Sequence, residues 1–154
     1  QAALVQQAAF SLQRRSQWAD TDTPPDVGRD ADVWLGDSLG EMALYYGLAD
    51  VALLGGSFAP LGGQNLIEAA ACGCPVVLGP HTFNFAEAAE LACAAGAAQR
   101  VPDMAAGMAL AAQMATDAPE QAAASERASR FATAHRGAAR ATAQAVQAVL
   151  QAAG

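Results

Sequence analysis

Residues Asp50–Phe85, DVALLGGSFAPLGGQNLIEAAACGCPVVLGPHTFNF, are the stretch that decides the fold of this chain. Two short apolar runs lie within it, Asp50–Leu54 and Pro75–Gly79, and both are typical of buried strands that stop at glycine. Gln64–Cys72 between them has the composition of a helix and ends at Gly73. Two such strands joined through a helix predict a parallel βαβ unit with a right-handed crossover.

The same stretch predicts where a ligand would bind, because ligands of open parallel sheets lie outside the carboxyl ends of the strands. Those ends carry Gly55–Ser57 and Gly79–Asn84. Gly62 and Gly63 come just before the helix, where glycine lets a ligand approach the backbone and a helix N-terminus attracts anions. A glycine pair also makes an ordinary loop, so this pattern leaves a ligand site and a simple connection as equal alternatives.

The rest of the chain alternates strands and helices and then ends in consecutive helices. That order predicts an α/β fold, a Rossmann-like parallel sheet with helices on both faces. Gly137 predicts a break before a last helix whose apolar face is Val146, Val149 and Leu150. The other predicted elements are helices over Gln1–Gln13, Gly40–Tyr46 and Asn84–Ala95, helices starting at Asp103 and Pro119, strands over Arg14–Trp18, Asp32–Gly36 and Ala97–Val101, and a loop over Asp20–Asp30.

Composition narrows the class of protein. A chain of 154 residues suits one domain with a real core. The net charge is −7 with only 8 Lys plus Arg, which argues against nucleic-acid binding. No stretch approaches the roughly 20 apolar residues of a membrane span, and the start at Gln1 without methionine suggests a piece of a longer protein. Cys72, Cys74 and Cys93 form no CxxC pair and no further His/Cys cluster completes a metal site, so we expect buried thiols and no metal. We also expect no cofactor.

Two groups of polar residues are candidates for ligand contact, and each has a structural alternative. Ser38-x-x-Glu41 has the spacing of a capping box, whereas Gly40 in the first turn suggests that a ligand approaches the backbone. Asn65 and Glu68 share one face at the start of a helix. The carboxylate of Glu68 either stabilises the helix N-terminus through its negative charge or accepts hydrogen bonds from ribose hydroxyls. His81 either donates to a ligand anion or bonds its own loop, and a lone loop histidine is more often structural. Arg14 and Arg15 either contact a ligand or form a solvated strand edge, and we favour the solvated edge.

Several motifs follow one another along the chain: Arg14-Arg-Ser16, Gly36-Asp-Ser-Leu-Gly-Glu-Met42, Tyr46-Gly-Leu-Ala-Asp-Val-Ala52, Gly55-Gly-Ser57, Gly62-Gly-Gln-Asn-Leu-Ile-Glu68 and Gly79-Pro-His-Thr-Phe-Asn-Phe85. Together and in this order they resemble the 3-deoxy-D-manno-octulosonic acid (Kdo) transferases. The resemblance runs with high specificity from about Arg14 to Phe85 and continues more loosely to the C-terminus.

The resemblance implies that residues 1–154 are the C-terminal, CMP-Kdo-binding half of a glycosyltransferase of the B fold. It implies an enzyme that transfers Kdo to a lipid A precursor at the cytoplasmic face of the inner membrane, without an essential metal. The catalytic base, acceptor site and any membrane contact would lie in an N-terminal domain absent from this chain. Part of the nucleotide site would also lie upstream, so we expect weak CMP binding by the chain alone. The implied donor contacts are Leu39, Gly40, Glu41, Asn65, Leu66, Ile67 and Glu68, with Ser57, Gly62, Gly63, Gln64, His81 and Asn84 as secondary candidates.

Two other functions stay open at the level of sequence. One is a related B-fold enzyme that uses a UDP-sugar, and the other is a non-catalytic Rossmann-like interaction module. The Gly79–Phe85 motif favours the Kdo transferase over the first, and binding of CMP rather than UDP would separate these two by experiment. Absence of nucleotide binding in the complete protein would favour the second.

Overall fold

The computed structural model describes residues 2–18 and 30–152. The chain divides into two compact units, Gln1–Tyr45 and Tyr46–Gly154, and each is described by itself below. Apart from Asp30, the loop predicted over Asp20–Asp30 lies outside the described residues.

The first unit contains a helix and two parallel strands. Helix α1 covers Ala2–Gln7, strand β1 covers Leu12–Arg14, and strand β2 covers Val33–Leu35, with Leu12 opposite Val33. The helix predicted over Gln1–Gln13 was therefore too long. Ala9 has φ 60°, which ends helical geometry before the strand.

The strand predicted over Arg14–Trp18 was also wrong. Within this range only Arg14 belongs to a strand, as the last residue of β1, and Arg15–Gln17 forms a single 3₁₀ turn. The carboxylate of Asp37 fixes this turn by accepting hydrogen bonds from the Ser16 amide and hydroxyl, both at 2.8 Å. These bonds take the place of strand pairing at Ser16.

Helix α2 covers Met42–Leu48 and begins in the first unit. The predicted helix over Gly40–Tyr46 started two residues too early, because Gly40 has φ +83° and lies outside helical geometry. Gly47 lies within the helix and does not end it.

The second unit confirms the predicted parallel sheet. Strands β3 (Ala52–Leu53), β4 (Val76–Leu78) and β5 (Ala98–Arg100) follow that order across the sheet, and both pairs are parallel. Helix α3 covers Leu66–Ala71 and connects β3 to β4, as the βαβ pattern predicts. The carboxyl ends of the three strands therefore share one edge.

Three helices complete the second unit: α4 (Ala86–Ala94), α5 (Met104–Thr116) and α6 (Ala118–Ala152). The helix predicted to start at Asp103 is capped by that residue, since the Asp103 carboxylate accepts a hydrogen bond from the Ala106 amide at 2.8 Å. The first turn predicted for α4 is instead a 3₁₀ turn over Phe83–Phe85.

The break predicted at Gly137 is absent, and α6 continues through that residue. Glycine costs a helix only about 1 kcal/mol relative to alanine, which a long helix accommodates. The side chains of Val146, Val149 and Leu150 lie outside the described ones, so the predicted apolar face stays a prediction.

The core of the second unit lies between its sheet and the helices α3 and α6. Leu66, Val76 and Leu78 are almost completely buried, together with Cys74. From α6, Ala124, Ala128 and Phe131 are buried, and His135 on the same stripe is half-buried. Along the described part of the chain, no helix combines the length and apolarity needed to cross a bilayer.

Candidate functional site

The first group of predicted site residues lies on the loop that follows β2, in the first unit. Near the start of the loop, the carboxylate of Asp37 accepts the two hydrogen bonds from Ser16 described above. These hydrogen bonds lower the pKa of the Asp37 carboxyl: the bond from the Ser16 amide lowers it most, then that from the Ser16 hydroxyl. The carboxylate is therefore firmly ionised near neutral pH, and the loop base is held in place.

Glu41 is the second fixed point of this loop. Its carboxylate accepts hydrogen bonds from the Ser38 hydroxyl, from the Tyr45 hydroxyl at 3.0 Å and from the Arg15 guanidinium at 2.8 Å. The Ser38 and Tyr45 hydroxyls are also 3.0 Å apart. The Ser38 bond, the Tyr45 bond and then Arg15 lower the pKa of the Glu41 carboxyl. Ser38 and Glu41 thus meet as the capping-box spacing predicts, but through a bond between their side chains.

Between these two fixed points the tip of the loop is open. The Leu39 side chain is 101% exposed, and a Cβ added to Gly40 would meet no atom within 4 Å. Gly40 has φ +83°, a conformation that few residues other than glycine adopt. A ligand can therefore reach the backbone of Leu39 and Gly40 directly.

In the second unit, Ser57 joins the loops that follow β3 and β4. Its hydroxyl donates to the Leu54 carbonyl at 2.6 Å and accepts from the Gly79 amide at 2.7 Å. Its carbonyl accepts from the His81 amide at 2.9 Å. Ser57 is 0% exposed, so its hydrogen bonds connect the ends of the two strands inside the unit.

The glycine pair before α3 packs against the second of these loops. Gly62 has φ +88°, and a Cβ at this position would lie 2.2 Å from Nδ2 of Asn84. The Asn84 amide donates to the Gly62 carbonyl at 3.1 Å, and its side chain donates to the Leu61 carbonyl at 3.3 Å. Gly63 donates its amide to the Gly56 carbonyl at 3.2 Å. Both glycines and Asn84 therefore lock the two loops together.

The start of α3 presents a pair of polar side chains. Asn65 caps the helix, with its Oδ1 accepting from the Ile67 amide at 3.2 Å. Its Nδ2 donates to Oε1 of Glu68 at 3.0 Å, and Glu68 is exposed. Leu66 is 1% exposed and belongs to the core, so any ligand contact there would involve the main chain. Gln64, just before the helix, holds the Gly56 amide at 3.4 Å through its Oε1.

Three side chains near these loops were not predicted as site residues. Arg100, the last residue of β5, donates to Thr82 at 3.1 Å and to Glu90 at 2.6 Å. Its position at a strand's carboxyl end was the available signal. Tyr45 follows Glu41 by four residues, the spacing at which helical side chains meet. Arg15, interpreted as solvated, is instead paired with Glu41 and only 23% exposed.

The predicted residues thus form two groups, Leu39–Glu41 in the first unit and Asn65–Glu68 in the second. Ser57, Gly62, Gly63, Gln64, His81 and Asn84 all lie in the second unit with the latter group. Within the described part of the chain, no cluster of three or more His, Cys, Asp or Glu is arranged to hold a metal ion.

Comparison with known proteins identifies the relatives of the chain. It is 60% identical over 102 residues to a Kdo transferase of Bordetella pertussis, a match that covers 66% of this chain and 23% of that protein. The chain is related to the Kdo transferases. It is also 43% identical over 84 residues to the Kdo transferase of Haemophilus influenzae, covering 54% of this chain and 18% of that enzyme. The matches therefore span less than a quarter of the length of these two relatives. No family model matches the chain.

A solved structure supports the fold. The C-terminal CMP-Kdo binding domain of WaaA from Acinetobacter baumannii superimposes with a TM-score of 0.71 at 24% identity, over 84% of this chain and 65% of that one. The predicted fold class, a Rossmann-like parallel α/β fold, is confirmed by this match.

Proposed function

We propose that this chain is the donor-binding domain of a Kdo transferase, and that it binds CMP-Kdo. The observation that carries the proposal is the 60% identity over 102 residues to the Bordetella pertussis enzyme. The similarity in fold to a domain described as binding CMP-Kdo supports it. Neither relative named above is described as a UDP-sugar enzyme or as a non-catalytic module.

The geometry of the second unit supports a role for Glu68 in binding the ribose of CMP. A carboxylate offers about four acceptor sites, and the bond from Asn65 to Oε1 uses one of them. That bond also orients the exposed carboxylate, which lowers the cost of ordering it when a ligand arrives. Asn65 and Glu68 would therefore act as a pair, with Leu66 and Ile67 contributing main-chain groups.

In the first unit, the open backbone at Leu39 and Gly40 supports contact with the nucleotide. Glu41 closes this loop on the helix side, where its carboxylate already holds three side chains. We therefore assign the direct contact to the loop tip. Gly40 would allow the ligand to approach, and Leu39 would offer an apolar surface.

For the complete protein, we propose transfer of Kdo from CMP-Kdo to a lipid A precursor in lipopolysaccharide biosynthesis. The catalytic base, the acceptor site and any membrane contact would belong to an N-terminal domain of a B-fold glycosyltransferase acting at the cytoplasmic face of the inner membrane. No cofactor, metal or nucleic acid is part of this proposal. The chain alone should not transfer Kdo, since it lacks that domain.

A chimera tests the proposal directly. The Bordetella pertussis enzyme in which this chain replaces the corresponding stretch should transfer Kdo from CMP-Kdo to a lipid A precursor. The intact Bordetella enzyme is the positive control, and this chain alone is the negative control. A soluble chimera that binds acceptor but shows neither CMP-Kdo binding nor transfer would contradict the proposal.

The loop tip has its own test in the same chimera. Gly40→Asn suits a positive φ, because asparagine tolerates this region better than most residues, and its Cβ would meet no protein atom within 4 Å. We expect a higher KM for CMP-Kdo with little change in melting temperature. An unchanged KM would exclude close approach of the donor at Gly40.

A further inference from the structure

Arg15 lies in a confined position at the start of the first unit's 3₁₀ turn. Its guanidinium donates to Oε1 of Glu41 at 2.8 Å, and its central carbon lies 5.0 Å from the centroid of the Trp18 ring. Trp18 in turn contacts Trp34 edge-to-face, with centroids 5.2 Å apart. A cation held between a carboxylate and an aromatic face has little freedom to reorient.

Arg15 and Trp18 each bury one donor inside the first unit. Nε of Arg15 is buried and finds no hydrogen-bond acceptor among the described residues, and the same holds for Nε1 of Trp18. The Arg15 side chain as a whole is 23% exposed. Glu41 is therefore the partner that compensates this partly buried charge, and the orientation of each depends on the other.

Glu41 transmits this restraint to the loop. Its other oxygen holds Ser38 and Tyr45, and these two hydroxyls also meet. The Tyr45 ring packs directly on the loop backbone, since a Cβ added to Gly36 would lie 2.6 Å from its Cζ. Arg15, Glu41, Tyr45 and Ser38 thus form one connected set on the helix side of the loop tip.

We propose that Arg15 is a positioning residue for nucleotide binding, which acts through Glu41 to hold the tip Leu39–Gly40 in its binding conformation. This inference rests on the proposed function. A loop fixed before binding loses less conformational entropy when the ligand arrives, so its affinity is higher. Arg15 itself does not touch the nucleotide.

A double-mutant cycle on CMP affinity tests the inference in this chain. Arg15→Gln should weaken CMP binding by roughly three- to thirtyfold, the range expected for coupled contacting residues. In a Glu41→Gln background, Arg15→Gln should have almost no further effect on CMP affinity, because the Glu41 carboxylate through which Arg15 acts is already absent. Arg130→Gln is the matched control: Arg130 is an exposed residue paired with Glu126 on α6, and its substitution should leave CMP affinity unchanged.

The outcomes separate the two proposals. If the wild-type chain does not bind CMP, the proposed function fails and this inference falls with it. If the wild type binds and Arg15→Gln binds equally well, the positioning role alone is overturned. An equal loss in both backgrounds would mean direct contact with the nucleotide and would also overturn it.

A second variant guards against a fold defect. Arg15→Lys keeps the charge opposite Glu41 and should recover most of the affinity lost in Arg15→Gln. If Arg15→Gln does not fold, the same cycle with Arg15→Lys decides: a small loss that disappears in the Glu41→Gln background supports the inference, and a loss that persists there overturns it.

Discussion

The hydroxyl of Ser57 accepts a hydrogen bond from the Gly79 amide at 2.7 Å, across the ends of two neighbouring strands. The same hydroxyl donates to the Leu54 carbonyl at 2.6 Å, so one buried side chain ties the end of β3 to the end of β4. The loop carrying His81 and Asn84 starts from this tie. The position of the secondary site candidates therefore depends on a residue that is 0% exposed.

Ser57→Ala should lower the free energy of unfolding by about 1–3 kcal/mol, because it leaves a buried amide without its acceptor. Urea unfolding followed by circular dichroism measures the change. Ser129→Ala on the exposed face of α6 is the matched control and should stay within about 0.5 kcal/mol of the wild type. Equal stability of the two variants would mean that the Ser57 bonds do not stabilise the fold.

Gly62→Ala should be strongly destabilising, by about 2 kcal/mol or more, since a positive φ alone costs an L-residue roughly 1–2 kcal/mol. The added Cβ would also lie 2.2 Å from Nδ2 of Asn84. Gly55→Ala is the control, because a Cβ there meets nothing within 4 Å. It should be neutral or stabilising by about 0.4–1 kcal/mol. Thermal unfolding measures the stability of both variants. A Gly62→Ala variant as stable as Gly55→Ala would contradict the close packing of Gly62 against Asn84.

The first unit should lose stability in acid. The pKa of Asp37 is lowered from 3.8 by its bonds from Ser16, so its stabilising contribution is complete above 3.8 and is lost as the pH falls through the lower, folded value. Asp37→Asn should therefore be less stable than the wild type at about pH 7 and nearly equal to it at about pH 2. Both tryptophans, Trp18 and Trp34, lie in the first unit, so their fluorescence follows its unfolding. A stability difference that does not shrink in acid would contradict this assignment.

Cys74 should resist alkylation in the folded chain. Burial raises the pKa of its thiol to about 11, and its side chain is 1% exposed. At about pH 8 the thiolate is scarce and inaccessible, so iodoacetamide should modify the half-buried Cys93 first. Peptide mapping by mass spectrometry gives the order, and in denaturant the two residues should react at similar rates. Rapid labelling of Cys74 in the folded state would contradict its place in the core.

The sequence was a good guide wherever local pattern and packing agree. The apolar runs at Asp50–Leu54 and Pro75–Gly79 predict parallel strands, and parallel strands are found within both. Sequence patterns predicted the wrong element where a hydrogen bond between residues far apart in the sequence determines the backbone conformation. Ser16 turns because Asp37 binds it from 21 residues away, and no local propensity encodes that contact.

The same distinction applies to the residues of the candidate site. Asn65 and Glu68 were predicted as a pair from their helical spacing, and they are hydrogen-bonded at 3.0 Å. Arg15 was misinterpreted because its partner, Glu41, is 26 residues away and becomes a neighbour only in the folded unit. The role of Ser57 was likewise hidden, since a serine in a glycine-rich loop gives no sign that it will be completely buried.

The central claim is that this chain binds CMP through Glu68, and the most direct measurement is a titration of the chain with CMP, with UMP as the control nucleotide. Amide shifts in its ¹H–¹⁵N spectrum should change at Leu39–Gly40 and at Leu66–Glu68, and CMP should bind more tightly than UMP. Glu68→Gln should weaken CMP roughly ten- to a hundredfold, or about 1.4–2.7 kcal/mol, as expected for hydrogen bonds to a charged acceptor. Its melting temperature should hardly change. No CMP binding, or a Glu68→Gln variant that binds CMP as well as the wild type does, would contradict the account.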